Sequence, residues 1–308
     1  MESQGPQRHA MNLSAGGLAV GMAGLLVLLK LWALLQTGAL SIGASLADSG
    51  LDLLMSGGGL FAIVYAARPA DEDHAFGHSA VEDIVGLFQA SFITISAIVL
   101  LTAALARLAS GAPPELEAEG FGLAIMLLAL ALTFGLVLWQ RRVVAKTGNR
   151  VVAADALHYT GDLVPGLGAL AALGASALWG WTWVDPVVAI CAALFLLRGA
   201  FGIGRGAFDA LMDRRVDPDV LTRITRLADS FPGVLGHHDL KTRRSGSRLF
   251  INLHLELDGA QTLEEAHAIG AALRRAIVAL YPEADVLIHK DPVGTPRHPD
   301  DPRRQGLP

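Results

Sequence analysis

The sequence has little charge and almost no cysteine. Only 17% of its 308 residues are charged, against roughly 25% in a soluble domain, and 52% are hydrophobic. The single cysteine, Cys191, lies in an apolar run, which excludes disulfides and thiolate metal sites within one chain. Basic residues number 24 against 29 acidic residues, which excludes a dominant basic surface for nucleic acid.

The few charges are unevenly distributed along the chain. Residues 1–209 contain 25 charged side chains, whereas the much shorter stretch 210–308 contains 28. The first part is too apolar for a soluble fold, and the second has the charge content of an ordinary soluble domain. The sequence therefore predicts four segments: an N-terminal tail over 1–11, a membrane domain over 12–209, a soluble domain over 210–293 and a disordered tail over 294–308.

We predict an all-α membrane domain of six transmembrane helices. A span needs about 20 mostly apolar residues, and such runs occur at 12–35, 39–67, 84–105, 120–140, 151–178 and 185–204. Lys and Arg cluster between spans 4 and 5 and after span 6, whereas the opposite loops are poor in positive charge. By the positive-inside rule both termini are cytoplasmic, in a multi-pass protein surrounded by the lipid of the cytoplasmic (inner) membrane.

The soluble domain is predicted to be α+β, with the element order αββαβ. Asp217 followed by proline marks the start of one helix, and Thr262 with Glu265 forms a capping-box pattern at the start of another. Strands are predicted over 234–244, 248–258 and 284–291.

Ionisable residues inside the predicted spans carry the strongest functional signal. Asp48 and Asp52 in span 2 are spaced i,i+4, as are His158 and Asp162 in span 5, so each pair lies on one helix face. Three carboxylates and one imidazole suit a tetrahedral Zn²⁺ or a similar divalent ion. The alternative is a buried polar network, in which three negative charges would lack an assured positive partner. Asp155 shares this face and is predicted either to line the cytoplasmic approach or to be a plain interfacial carboxylate.

The segments that contain these residues resemble a known transporter family. Ser45–Asp52 reads SLADSGLD and His158–Asp162 reads HYTGD, and together they resemble the metal site of the cation diffusion facilitator family. The bacterial zinc/iron efflux pumps, of the ferrous-iron efflux type, are the members most similar. The resemblance covers 12–293 and implies proton-coupled homodimers whose metallochaperone-like cytoplasmic domains dimerise.

The resemblance extends to two further metal sites. DEDHAFGH, in the loop after span 2, implies a loop site with the ligands Asp71, His74 and His78. In the soluble domain it implies a binuclear site with the ligands His238, His254, His267, His289 and Asp291. His238 is preferred to the adjacent His237 on the resemblance. The residues alone leave open an acidic surface loop at the first site and solvated histidines at the second.

Two positions complicate the family pattern. Related pumps have a lysine soon after the loop histidines, which pairs with an aspartate near the end of span 6. This chain has Ser79-Ala80 there, so Asp213 is predicted to lack that partner at the dimer interface. Lys290 lies between two implied ligands, and its charge is predicted to weaken the binding of a second tail ion.

These observations predict a homodimeric, proton-coupled exporter of Zn²⁺, with Fe²⁺ or Cd²⁺ as further ions, that works by alternating access. An enzyme is not expected, because the sequence has no phosphate-binding glycine-rich loop and no nucleophile–base pattern. One alternative is a membrane-anchored metal sensor or scaffold that binds ions without transporting them. Another is a transporter whose physiological ion is iron or manganese, since zinc and iron both accept a histidine/carboxylate set.

Overall fold

The structure is a computed structural model that describes residues 4–37, 40–110, 120–179 and 184–294. Six long helices come first: α1 (Gln4–Thr37), α2 (Leu40–Ala66), α3 (Ala80–Ser110), α4 (Gly120–Thr147), α5 (Arg150–Trp179) and α6 (Val184–Leu211). The remaining elements are α7 (Pro218–Asp229), β1 (Gly236–Ser245), β2 (Arg248–Leu257), α8 (Leu263–Leu280) and β3 (Ala284–Pro292). The chain divides into two compact units between Phe208 and Asp209.

The six long helices coincide with the six predicted spans but differ from them at the ends. Helix α1 begins at Gln4, so residues 4–11, predicted to be a tail, belong to the first helix. Among the described residues, four stretches are long and apolar enough to cross a membrane: Gln7–Leu29, Ser49–Ala66, Ala80–Ser110 and Pro186–Leu211. The spans at α4 and α5 stay predictions. The tail predicted over 294–308 lies outside the described residues, apart from Gly294.

Helix α5 has a central place in the helical unit. Its side chains enter three apolar clusters: Val151 packs with α1, α2 and α4, Tyr159 with α1 and α4, and Ala154 with α3 and α6. The contact with α6 is close, because a Cβ added at Gly161 would lie 3.0 Å from the Leu196 side chain. Small residues permit such close helix packing. Helix α5 is therefore held by its neighbours on several sides.

The soluble unit contains a three-stranded sheet of order β1-β2-β3 covered on one face by α7 and α8. Strand β2 pairs antiparallel with β1 and parallel with β3. The predicted order αββαβ is confirmed. Alternate residues of β2 are buried against both helices, together with Ile224 of α7 and Leu273 of α8; they are Leu249, Ile251, Leu253, Leu255 and Leu257.

Both predicted helix starts in the soluble unit are present. The capping box is complete, since Thr262 Oγ1 accepts the Glu265 backbone N–H at 3.2 Å and a Glu265 carboxylate oxygen accepts the Thr262 N–H at 2.8 Å. The Thr262 backbone N–H is the main cause that lowers the pKa of the exposed Glu265, and the Thr262 hydroxyl, which donates to the same carboxylate oxygen at 2.9 Å, is the second cause. Asp217 is the N-cap of α7 and Pro218 follows it, but the Asp217 side chain makes no capping hydrogen bond.

Candidate metal sites

Helices α2 and α5 bring together Asp52, His158 and Asp162. One ligand atom of each residue lies within 4.8 Å of the other two. The His158 Nε2 atom is 2.9 Å from Asp52 Oδ1. Asp48, the fourth predicted ligand, lies one turn before Asp52 on α2, but its side chain is outside the described residues. Three members of the predicted set therefore meet where α2 and α5 pack together.

Asp155, one turn before His158 on α5, is buried in a hydrogen-bonded network. Its Oδ1 accepts from the Ser56 hydroxyl at 2.8 Å, and its Oδ2 accepts from Gln140 Nε2 at 2.6 Å. The Ser56 oxygen is also 3.0 Å from the Tyr159 hydroxyl. Only 5% of Asp155 is exposed, so it is not an interfacial carboxylate. The carboxylate instead ties α5 to α2 and to α4.

Sequence analysis missed the donors that surround Asp155. Ser56 follows Asp48 and Asp52 at the same i,i+4 spacing on α2. This spacing is a signal that could have identified Ser56 as part of the same helix face. Gln140 has no such signal, because its contact with Asp155 depends on how α4 packs against α5.

A second polar network joins the start of α3 to the start of α5. The buried Asp83 forms an ion pair with Arg150. Glu82, also buried, accepts a hydrogen bond from Asn149 Nδ2 at 2.8 Å. The Asn149 side-chain oxygen in turn accepts the backbone N–H of Val152 at 3.0 Å, which caps α5. Arg150, one of the basic residues between spans 4 and 5, thus helps to fix α5 against α3.

The three loop residues meet between α2 and α3. One ligand atom each of Asp71, His74 and His78 lies within 4.8 Å of the other two. The turn that brings them together has Gly77 at φ 83°, with its N–H bonded to the His74 carbonyl at 2.9 Å. The His74 backbone N–H donates to Asp71 at 2.7 Å and is the main cause that lowers the pKa of Asp71. The fully exposed carboxylate is therefore favoured in its charged form.

The third cluster lies on the open face of the sheet in the soluble unit and consists of His238, His254 and Asp291. His238 is directly opposite His254 in the β1–β2 register. The Asp291 Oδ2 atom lies 2.9 Å from His254 Nδ1 and 3.5 Å from His238 Nε2. His237 lies on the other face, where its Nδ1 is 2.8 Å from an Asp229 carboxylate oxygen at the end of α7.

The two remaining predicted tail ligands differ in position. His289 is adjacent to the cluster, with its Nε2 3.2 Å from Asp291 Oδ1 and its ring centroid 4.6 Å from that of His254. His267 is exposed on α8, which packs against the opposite face of the sheet. The structure therefore does not bring His267 to the cluster within one chain.

Lys290 does not lie as predicted, and Asp213 has a partner other than the lysine of the family pattern. A Cβ added at Gly270 of α8 would be 2.6 Å from Lys290 Cε, so the Lys290 side chain lies on the helix side of the sheet. This placement contradicts the prediction that its charge acts beside Asp291. Asp213, predicted to lack a lysine partner, is 2.9 Å from an Arg243 guanidinium nitrogen of β1.

Comparison with known proteins assigns the chain to a family. Residues 18–212 match the cation efflux transmembrane domain, and residues 216–293 match the cytoplasmic domain of cation efflux proteins. The chain belongs to the cation efflux family. The cation-efflux pump FieF of Shewanella oneidensis is 41% identical over 279 residues, which cover 91% of this chain and 93% of the relative. FieF of Yersinia enterocolitica is 39% identical over 287 residues, 93% and 95% of the two chains.

Two solved structures also resemble part of this cation efflux chain. The transporter CzrB in its zinc form is 35% identical, covering 28% of this chain and 100% of its own, with a TM-score of 0.26. The metal-bound C-terminal domain of the CzcD transporter from Thermotoga maritima is 29% identical, covering 26% and 93%, with a TM-score of 0.25. Both scores are low, and no conclusion rests on them.

The family assignment confirms the resemblance seen in the sequence motifs. The chain is a cation efflux transporter with a helical transmembrane domain and a cytoplasmic domain. Proteins of this family move ions and are not enzymes.

Proposed function

We propose that this cation efflux protein exports Zn²⁺, and also Fe²⁺ or Cd²⁺, across the cytoplasmic membrane in exchange for protons. The cluster of Asp52, His158 and Asp162 is the observation that carries the proposal. Its imidazole nitrogen and carboxylate oxygens match the ligands that zinc accepts. Iron accepts a similar set, whereas an all-oxygen site would favour Mg²⁺ or Mn²⁺.

In this proposal Asp48 supplies the fourth ligand to the transported ion. Its i,i+4 spacing from Asp52 supports a position on the same face of α2. Two ligands from α2 and two from α5 would complete a four-coordinate site, which is the usual number for zinc. An ion held this way links the two helices, so a change in their separation would bind or release it.

The proposed transporter has six spans, with both termini in the cytoplasm, and works by alternating access as a homodimer. Six long helices and the distribution of Lys and Arg support this topology. Residues 216–293 match the cytoplasmic domain of cation efflux proteins, which supports a cytoplasmic location for the C-terminal part of the chain. Contact between two copies through this domain is the expected basis of the dimer.

Proton coupling follows from the chemistry of the ligands. Imidazole and carboxylate bind a divalent ion only when they are deprotonated, so binding of the ion releases protons. If protons enter from outside as the ion leaves, an inward proton gradient drives export. His158 is the expected carrier, because imidazole is the side chain that titrates closest to neutral pH.

The loop and soluble-domain clusters are proposed as resident metal sites that respond to cytoplasmic metal. The two imidazoles and the carboxylate of His238, His254 and Asp291 fit the nitrogen and oxygen ligands of zinc. Asp71, His74 and His78 offer the same donor set in the loop. A bound ion would supply a cross-link, which in the soluble domain would join residues of all three strands.

The deciding experiment measures metal-dependent proton flux in proteoliposomes that contain the purified protein and an internal pH indicator. Zn²⁺, Fe²⁺, Cd²⁺ and Mn²⁺ are added separately, and protein-free vesicles serve as the control. We expect zinc to cause proton movement opposite to its own direction. Zinc binding without any flux of zinc or protons would contradict transport and would favour a membrane-anchored metal sensor.

A further inference from the structure

The two ring nitrogens of His238 face different carboxylates. Nε2 faces Asp291 Oδ2 at 3.5 Å, toward the centre of the cluster, whereas Nδ1 lies 2.9 Å from Glu256 Oε1. In a neutral imidazole one nitrogen carries a proton and the other has the lone pair that binds metal. An ionised carboxylate only accepts hydrogen bonds, so the contact with Glu256 favours the proton on Nδ1. The lone pair of Nε2 is then directed at the cluster.

We propose that Glu256 is a positioning residue for the proposed metal site of the soluble domain. It holds the Nδ1 proton of His238, fixes the tautomer and the ring orientation, and so directs Nε2 to the ion. Carboxylate–histidine–metal arrangements of this kind raise the basicity of the ligand and its affinity for metal. The inference rests on the proposed function, because it requires that the soluble-domain cluster binds metal.

The sheet holds Glu256 in the place this role requires. In the strand registers Glu256 is opposite Gly236 on β1 and opposite Asp291 on β3. A Cβ added at Gly236 would lie 2.8 Å from Glu256 Oε2, so the carboxylate lies directly over the glycine. The flanking Leu255 and Leu257 are buried in the core and fix the strand. Sequence analysis missed Glu256, although it shares the sheet face of His254, two residues earlier.

The contact between His238 and Glu256 is not one that every histidine of the domain makes. The contacts of two other histidines, His254 and His237, show the difference. The outer nitrogen of His254, Nε2, is 3.8 Å from Asp239 Oδ2, which is beyond hydrogen-bonding distance. Asp239 Oδ2 lies instead 2.8 Å from Lys241 Nζ. His237 Nδ1 lies 2.8 Å from an Asp229 carboxylate oxygen, close to the 2.9 Å between His238 Nδ1 and Glu256, but this pair lies on the other face. It therefore offers a matched control.

The test measures zinc binding to the full-length protein by calorimetry. Asp162→Ala and His74→Ala are present throughout, to weaken the other two sites. Glu256→Leu should lower the zinc affinity of the remaining site about 10- to 100-fold. Glu256→Gln should lower it less, because the amide oxygen still accepts from Nδ1. Gly236→Ala, which displaces the carboxylate without removing it, should also weaken binding, and Asp229→Asn should leave the affinity unchanged.

A second measurement separates positioning from mere loss of stability. Ring ¹⁵N spectra of histidine-labelled protein, assigned with His238→Gln, report which nitrogen of His238 carries the proton. In the metal-free parent protein we expect the proton on Nδ1, and in metal-free Glu256→Leu a mixture of tautomers. A proton on Nε2 in the parent, or equal affinities for Glu256→Leu and Asp229→Asn, would overturn the positioning role alone. No zinc binding by the parent would overturn the soluble-domain metal site itself.

Discussion

His158 Nε2 and Asp52 Oδ1 lie 2.9 Å apart and join α5 directly to α2. Both atoms are proposed ligands of the transported ion, so an ion that enters must replace this contact with two metal–ligand bonds. The ligands of the proposed site are therefore assembled across the two helices.

Replacing Asp162 with alanine should abolish zinc transport while the protein still folds. The side chain is exposed, so its removal leaves no buried cavity, but it takes away one ligand of the proposed site. Zinc uptake into inverted vesicles measures the loss, and thermal unfolding checks the fold. Thr102→Ala is the control, because its hydroxyl bonds only to its own helix in the described contacts. Near wild-type transport by Asp162→Ala would mean that the site is wrongly assigned.

The His158→Asp variant should shift the preference of the transporter from Zn²⁺ toward Mn²⁺. The change replaces a borderline nitrogen ligand with a hard oxygen, which gives an all-carboxylate site. Competition between the two ions in proteoliposomes measures the preference. His74→Asp makes the same chemical change in the loop and should leave the preference unaltered. An unchanged selectivity in His158→Asp would show that other residues determine it.

Replacing Asp155 with leucine should destabilise the helical unit. Ser56 can still bond to Tyr159, but the Gln140 amide would lose its acceptor, and a buried unsatisfied donor costs about 1–3 kcal/mol. Asp155→Asn keeps one acceptor oxygen and should cost less. The melting temperatures of both variants in detergent are compared with that of Ser91→Ala, a control that removes an exposed hydroxyl. Equal melting temperatures for Asp155→Leu and Ser91→Ala would argue against the structural role of this network.

Much of the fold and of the candidate sites was predictable from local patterns. Apolar runs of span length predict the six helices, and helix-start signals with strand runs predict the order αββαβ. The two i,i+4 pairs, together with the family resemblance, predict the meeting of Asp52 with His158. The network of Asp155 was not predictable, because Ser56 lies 99 residues away and meets it only after helix packing. The residues alone did not decide between His237 and His238, because β1 lacks hydrophobic alternation and the faces of its side chains are set by pairing with β2. The family resemblance supplied that choice.

Zinc should stabilise the isolated soluble fragment 210–293. A ligand that binds only the folded state adds about 2.7 kcal/mol at a concentration one hundred times its Kd. The melting temperature with and without zinc measures this effect. His254→Ala should remove most of the increase, whereas His237→Ala, on the opposite face, should retain it. An unchanged melting temperature of the wild-type fragment at saturating zinc would remove this site from the proposed function.

The capping box of α8 should make the stability of the same fragment depend on pH. The pKa of Glu265 is lowered from its ordinary value of 4.5, so its charged form stabilises the folded state above that value. This contribution is lost as the pH falls through the lower, folded-state pKa. Urea unfolding between about pH 6 and pH 3 should show a flatter profile for Glu265→Gln than for wild type. Glu264→Gln, outside the capping box, should keep the wild-type slope.

The adjacent imidazoles of β1 give the proposed metal-binding face of the sheet a spare ligand. Because strand side chains alternate, a shift of one residue in β1 against β2 would exchange the faces of His237 and His238. The β1–β2 register already contains an irregularity just after His238, so the second half of the strand can keep its pairing. Gain of one residue in the turn before β1 would then place His237 opposite His254. The turn can therefore lengthen by one residue without loss of the histidine pair.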